Sequence, residues 1–145
     1  MAAEFKLDII TPEKTTYTGA AVSLTLPTSA GQITLLPGHI PLVSTVVAGE
    51  IIIRSTSGQT FLAVSSGLLH VKPDHIKILV NSAERAEDID EARAEQAHRR
   101  AQELMTEKRD DVDYTALSGK IEKELARLKV ARSRRRHSSQ PNISQ

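Results

Sequence analysis

Five histidines, His39, His70, His75, His98 and His137, are the side chains best suited to metal ligation or proton transfer, and none stands with a second ligand at metal-motif spacing. The chain has no cysteine, which excludes disulfides and thiolate chemistry. It has no nucleophile elbow and no Walker-type glycine loop. Asp88 and Asp90 are two residues apart, which does not put both carboxylates on one helix face, and both suit the start of a helix. Neither a metal site nor an independent catalytic site is expected. What remains is charge. Arg132, Arg134, Arg135 and Arg136 are four arginines within five residues. Such a run attracts nucleic-acid phosphates or an acidic protein surface, with strong salt dependence. No aromatic lies beside it to stack on bases, so a solvated tail, a nucleic-acid contact and an acidic protein partner all stay open.

The distribution of charge is more informative than its sum. A chain of 145 residues with net charge +1 looks neutral. Residues 1–85 carry six basic and six acidic side chains; 86–119 carry five basic and ten acidic; 120–136 carry eight basic and two acidic. An acidic segment is thus followed by a basic one, and the two can attract each other, although exposed pairs are individually weak and screened by salt. Only four aromatics are present, Phe5, Tyr17, Phe61 and Tyr114, so core volume must come from Leu, Ile, Val and Ala. No apolar run is long enough to span a membrane, and the opening MAAEFKLDII lacks the basic head and apolar block of a secretory signal. A soluble, intracellular protein is expected.

Positioning falls to two kinds of element. Apolar residues alternate at Phe5, Leu7, Ile9; Val22, Leu24, Leu26; Ile51, Ile53; and Ile76, Ile78, Val80, the period of a strand with one wet face. Turn signals such as Thr18-Gly19, Pro37-Gly38, Ser57-Gly58 and Pro73-Asp74 recur about every ten residues, which predicts an all-β sandwich or flattened barrel over 1–84. From Asp88 to Arg109 nearly every residue is a strong helix former, with a weak, alanine-rich stripe of Ile89, Ala94, Ala97, Ala101, Leu104 and Met105. Asp110-Asp111-Val112-Asp113 breaks the pattern, with Asp113 as N-cap of a second helix whose stripe is Tyr114, Leu117, Ile121, Leu125 and Leu128. The two helices form an antiparallel hairpin over 85–131, and 132–145 reads as a basic, disordered tail.

Three segments carry a resemblance: Leu7-Asp8-Ile9-Ile10-Thr11-Pro12-Glu13, Gly31 to Leu42 (GQITLLPGHIPL), and Ala86 to Ala94 (AEDIDEARA). Together, and in this order, they resemble the epsilon subunit of the F-type ATP synthase over residues 3 to about 131. The resemblance implies a flattened, ten-stranded sandwich followed by a helical hairpin. It implies a noncatalytic subunit of the proton-translocating rotor, coupling the gamma subunit to the c-ring and restraining ATP hydrolysis when the hairpin rises toward the catalytic alpha and beta subunits. It places the chain at the cytoplasmic face of a bacterial plasma membrane, or the stromal face of a thylakoid, held there by the complex alone. Gly31 and Gln32 would face the c-ring, with Gln32 where some relatives carry an acidic residue; Pro37, Gly38 and His39 would lie near gamma; Lys123, Arg127, Lys129 and Arg132 would meet an acidic segment of the beta subunit. The alternative is a freestanding protein or nucleic-acid adaptor using the basic C-terminal segment.

Some relatives hold regulatory ATP in the compact hairpin through Ile-Asp-x-x-Arg-Ala. Ile89-Asp90-Glu91-Ala92-Arg93-Ala94 is similar to that motif, with Glu84, Arg100 and Arg127 at matching positions and Lys123 where those relatives have Arg. Arg93 and Arg100, seven residues apart, share a helix face. No cofactor is required by this reading; regulatory ATP is the one ligand it implies.

Overall fold

The computed structural model describes residues 3–106 and 113–138. The end of the first predicted helix at Arg109, the break over residues 110–112 and the tail beyond Ser138 lie outside the described residues. Ten strands come first: β1 (Phe5–Ile10), β2 (Thr15–Ala21), β3 (Ser23–Thr28), β4 (Gly31–Leu35), β5 (Leu42–Val46), β6 (Gly49–Ser55), β7 (Gly58–Val64), β8 (Gly67–Val71), β9 (His75–Val80) and β10 (Ala83–Arg85). A 3-10 turn over Ala86–Asp88 leads to helices α1 (Glu91–Thr106) and α2 (Tyr114–Ser138). This is the sandwich followed by a helical hairpin that the sequence pattern and the resemblance predict.

The strands form one sheet folded over on itself, in the order β10-β7-β6-β3-β5-β8-β9-β1-β2, with β4 on β3. Pairing is antiparallel except between β1 and β9, which run parallel. β3 makes the corner, because Ser23 to Thr25 pair with β6 while Thr28 pairs with Val46 of β5. The predicted alternation is realised in the core, where Phe5, Leu7, Ile9, Leu24, Leu26, Ile51, Ile53, Ile76 and Ile78 are all buried. Full burial of each such side chain stabilises by about 1.5–3 kcal/mol. Close approach requires Gly67: a Cβ there would run into the carbonyl of Leu79 and lie 2.7 Å from Val80 Cα. The β6–β7 hairpin has Thr56 and Ser57 at its tip, with Gly58 at φ +143°, a left-handed value that glycine tolerates.

The helical part departs from the sequence reading at both ends. α1 begins at Glu91 rather than Asp88, because the Asp90 carboxylate accepts a 3.2 Å hydrogen bond from the Arg93 N–H and caps the helix there. Asp113 caps α2 as predicted, accepting from the N–H groups of Thr115 and Ala116 at 3.0 and 3.1 Å. α2 does not stop near Val130. It continues to Ser138, so 132–138 is helix where the sequence suggested a disordered tail. Arginine is a good helix former, and Arg132, Arg134 and Arg135 meet acidic partners that offset the lost flexibility. The α2 stripe is also shifted: Leu117 and Leu128 are buried, but Tyr114 and Leu125 are exposed while Glu124, Ala126 and Val130 are buried. α2 packs on α1 and on β6 and β7 at once, so its buried surface cannot follow a single stripe.

One polar cluster ties the parallel pair together. Asp8 on β1 accepts 2.6 Å from the Thr18 hydroxyl on β2 and 2.8 Å from His75 Nε2 on β9, with Lys6 Nζ 3.9 Å away. The hydrogen bonds from Thr18 and His75 hold its carboxyl below the ordinary 3.8. A carboxyl whose folded value is depressed contributes stability fully above its unfolded value, and that contribution is lost as pH falls through the lower folded value. The stability difference between the native chain and Asp8→Asn should therefore be constant near neutrality and shrink below about pH 4. Urea unfolding across that range checks it; a difference that persists unchanged to acid pH would contradict the role given to Asp8.

Candidate functional site

Strands β6 and β7 carry continuous apolar runs, Ile51-Ile52-Ile53 and Phe61-Leu62-Ala63-Val64, where a strand with one wet face would alternate. Ile51, Ile53, Leu62 and Val64 point into the sandwich. Their neighbours point outward, with Ile52 opposite Phe61 and Glu50 opposite Ala63 in the register. α2 covers this outer strip, and Phe61, Ala63, Ala86 and Val130 form a small buried cluster with Ile52 and Ile89 against it. α1 packs chiefly on α2, through an alanine-rich face on which Ala94 and Ala101 are buried while Leu104 and Met105 are largely exposed. The seam between hairpin and sandwich is therefore narrow, and its apolar part is small: Phe61, Ile52 and Ile89 with two alanines and one valine.

A charged cluster crosses the same seam. The guanidinium of Arg127 on α2 grips Glu84 of β10 with two hydrogen bonds, Nε to Oε2 at 2.6 Å and Nη2 to Oε1 at 3.2 Å. Its Nη1 donates to Oε2 of Glu124 at 2.7 Å. Arg127 is 19% exposed and Glu124 8%, so that pair is held away from bulk water, whereas Glu84 is 32% exposed and its pair is half-buried. The hydrogen bonds to Glu84 and then Glu124 raise the Arg127 pKa above its ordinary value, overcoming the opposing effect of burial. Arginine suits this place because its fork meets a carboxylate with two parallel bonds, which lysine cannot do. Beside the cluster lies a cavity of about 210 Å³ lined by Glu84, Lys123 and Arg127 together with Glu13, Lys14 and Ala83.

The structure brings together Glu84, Lys123 and Arg127 of the predicted nucleotide set. Asp90 is occupied as a helix cap, while Arg93 and Arg100 are exposed on α1, each one residue from the buried Ala94 and Ala101. Of the predicted partner-binding residues, Gly31 and Gln32 open β4, exposed, with Gly31 at φ +112°. Pro37, Gly38 and His39 form the loop before β5; Gly38 has φ +78°, its N–H donates to the Pro73 carbonyl at 3.0 Å, and His39 Nδ1 lies 2.7 Å from the Ile40 carbonyl. Lys129 is exposed, and Arg132 reaches Glu91 of α1. Sequence reasoning missed two features. One is the outer β6–β7 strip, which the unbroken apolar runs could have revealed. The other is an apolar group around the predicted gamma-facing loop: Leu36, Ile40 and Val43 are 57%, 75% and 69% exposed. On the same outward face, Leu68 pairs with Leu79, both about half exposed. Among the described residues, no helix is long and apolar enough to cross a membrane, and no group of three or more His, Asp or Glu side chains is placed to hold a metal.

Comparison with known proteins is consistent over residues 4–132. Residues 4–86 match the beta-sandwich domain of the ATP synthase delta/epsilon chain, and 87–132 match its long alpha-helix domain. The ATP synthase epsilon chain of Thioalkalivibrio sulfidiphilus (strain HL-EbGR7) is 34% identical over 139 residues, spanning 94% of this chain and 99% of the relative. Among solved structures, a chain of the Euglena gracilis mitochondrial ATP synthase (OSCP/F1/c-ring) superposes with a TM-score of 0.73 at 19% identity, covering 90% of this chain and 82% of that one. A chain of the Tetrahymena thermophila mitochondrial ATP synthase central stalk and c-ring gives 0.53 at 15% identity, covering 91% and 96%. At those identities the two structures speak for the fold.

The Arg127 cluster predicts a specific asymmetry. Arg127→Met leaves the buried Glu124 carboxylate without its partner and should loosen the hairpin by about 2 kcal/mol, whereas Arg127→Met with Glu124→Leu should cost less than the single change. Hydrogen exchange in α2, referenced to the sandwich strands, measures both; equal losses in the two variants would contradict the account.

Proposed function

Because the chain belongs to the ATP synthase delta/epsilon chain family, we propose that it is a noncatalytic coupling and regulatory subunit in the central stalk of a rotary, proton-translocating ATP synthase. One observation carries this reading: both family domains occur in order over 4–132, with 34% identity across almost the full length of a curated epsilon chain. The division of the fold suits the role. A sandwich with a continuous apolar core is a rigid adaptor, whereas a hairpin seated on a narrow strip is able to move.

The partners are the gamma subunit, the c-ring and the catalytic alpha and beta subunits. Support for the gamma contact comes from the exposed Leu36, Ile40 and Val43 around the Pro37-Gly38-His39 loop, since an apolar group of this kind on a wet surface suits a protein interface. Gly31 and Gln32, at the start of β4 beside the tip of the β3–β4 hairpin, are suited to the c-ring contact. Lys123 and Lys129 are exposed on α2 and, with Arg127 and Arg132 once these are released, would meet an acidic surface of the beta subunit. With no spanning helix among the described residues, the chain would sit peripherally at the cytoplasmic face of the bacterial plasma membrane, held by its partners.

Regulatory ATP is the ligand this reading admits. The cavity beside Glu84, Lys123 and Arg127 supports it, with the condition that Arg127 exchange a carboxylate for phosphate and that Arg93 and Arg100 approach from α1. ATP held there would favour the docked hairpin, because it binds only when the parts of the site are together.

In the assembled enzyme, deleting residues 88–145 should raise ATP hydrolysis while the sandwich stays bound, and Ile40→Asp with Val43→Asp should release the subunit. Unchanged hydrolysis would remove the inhibitory role, and retention of the double variant would remove the docking face. Calorimetric titration of the chain with Mg-ATP should give saturable heat that Arg93→Ala and Lys123→Ala reduce. Absence of heat, together with no competition for labelled ATP, would remove the nucleotide site.

A further inference from the structure

The last two turns of α2 do something that the rest of the hairpin does not. The family's long alpha-helix domain matches only through residue 132, and the buried apolar seat of α2 on the sandwich ends at Val130. Beyond that point, the contacts of the helix with the rest of the chain include a run of polar ones reaching three separate elements. The Ser133 hydroxyl donates to Glu50 Oε2 on β6 at 3.1 Å. Arg134 Nη2 lies 3.9 Å from Glu87 in the 3-10 turn. Arg132 and Arg135, three residues apart and so on one face, converge on a single oxygen of Glu91 at the start of α1, at 3.2 and 3.3 Å. Positive charge at the end of α2 and negative charge at the start of α1 also each suit their helix dipole.

We propose that residues 132–135 are a salt-sensitive latch that holds the hairpin docked, the arginines closing onto Glu87 of the linker and Glu91 of α1 while the Ser133 hydroxyl reaches Glu50 on the sandwich. The acidic partners sit on the sandwich, on the linker and on the first helix, so one short segment fastens all three parts together. Arg132, Arg134 and Arg135 are 50%, 53% and 69% exposed, which makes each pair weak alone and open to screening. A latch of several weak pairs is released by salt or by a competing acidic surface, whereas the apolar seat under Val130 responds to neither. The inference deepens the reading of the hairpin as a movable regulatory element.

The test uses the isolated full-length chain, so its outcome is independent of the rotary assignment. Hydrogen exchange over 117–130 should rise about fivefold between about 50 mM and about 500 mM salt, with the sandwich strands unchanged. The triple variant Arg132→Gln, Arg134→Gln, Arg135→Gln should show the fast exchange already at low salt and lose most of the salt response. Glu91→Gln, which removes the negative charge of the shared acceptor and leaves α2 itself intact, should give a smaller rise in the same segment. If exchange quickens only within 132–138, the contacts merely stiffen a fraying helix end and the latch is overturned. A full salt response persisting in the triple variant overturns it equally.

Discussion

Strands β6 and β7 carry apolar residues on both faces, and the arrangement of the whole molecule depends on how the outer ones are covered. Inward, Ile51, Ile53, Leu62 and Val64 belong to the main core; outward, Ile52, Phe61 and Ala63 need a second layer. Among the described residues α2 supplies most of it, with Val130 fully buried against the strip and Ala86 and Ile89 of the linker completing the cluster. α1 then has little of the sandwich left to touch and rests mainly on α2. The order of packing is therefore sandwich first, α2 on the strip, α1 on α2, which suits the hairpin to the movable role proposed above.

The size of that cover sets how easily it detaches. Apart from Phe61, Ile52 and Ile89, the side chains that meet at the seam are alanines and one valine. At about 25 cal/mol per Å² of apolar surface, such residues supply far less than the leucines and isoleucines of the core. Polar contacts must then decide the balance, and they differ in kind. Arg127 is itself largely buried, bidentate to Glu84 and paired with the buried Glu124, so it fixes where α2 sits along the strip; the arginines around Glu91 are exposed and contribute in a way that solvent conditions modulate. His98 adds a weak point on α1, since its Nδ1 is buried without a hydrogen-bond partner among the described residues.

Much of this was legible in the residues. Alternation at Phe5, Leu7 and Ile9 or at Ile76, Ile78 and Val80 reports one buried face directly, and those side chains are in the core. The parallel pairing of β1 with β9 was not legible, because it joins strands some seventy residues apart and no local signal encodes it. Leu125 and Glu124 exchanged their expected environments for a related reason: helical periodicity identifies one face, whereas α2 is packed on two sides, and a carboxylate can be buried when Arg127 is there to receive it. The helical end of α2 escaped because a run such as Arg-Ser-Arg-Arg-Arg has no apolar period; its order comes from Glu87 and Glu91, acidic partners that lie distant in sequence. The resemblance named Arg127 and Arg132 as contacts for other molecules, and only the coordinates reveal that both are already engaged within the chain.

That double engagement bears on how docking and partner binding exclude one another. Lys123 and Lys129 stay exposed in the docked hairpin, but Arg127 and Arg132 are committed to Glu84, Glu124 and Glu91. An acidic surface approaching the docked form meets the lysines first and can recruit the arginines only by breaking intramolecular pairs. Part of the attraction is thus offset by the pairs given up, and the net preference rests on a difference of a few kcal/mol at most. In the function proposed above, such a difference would keep both positions of the hairpin within reach and let ionic strength or a bound anion choose between them. Uniformly basic helices carrying the same total charge would have bound the acidic surface in every state. Placing the compensating carboxylates on α1, its linker and the sandwich makes the availability of that charge conditional on where the hairpin sits.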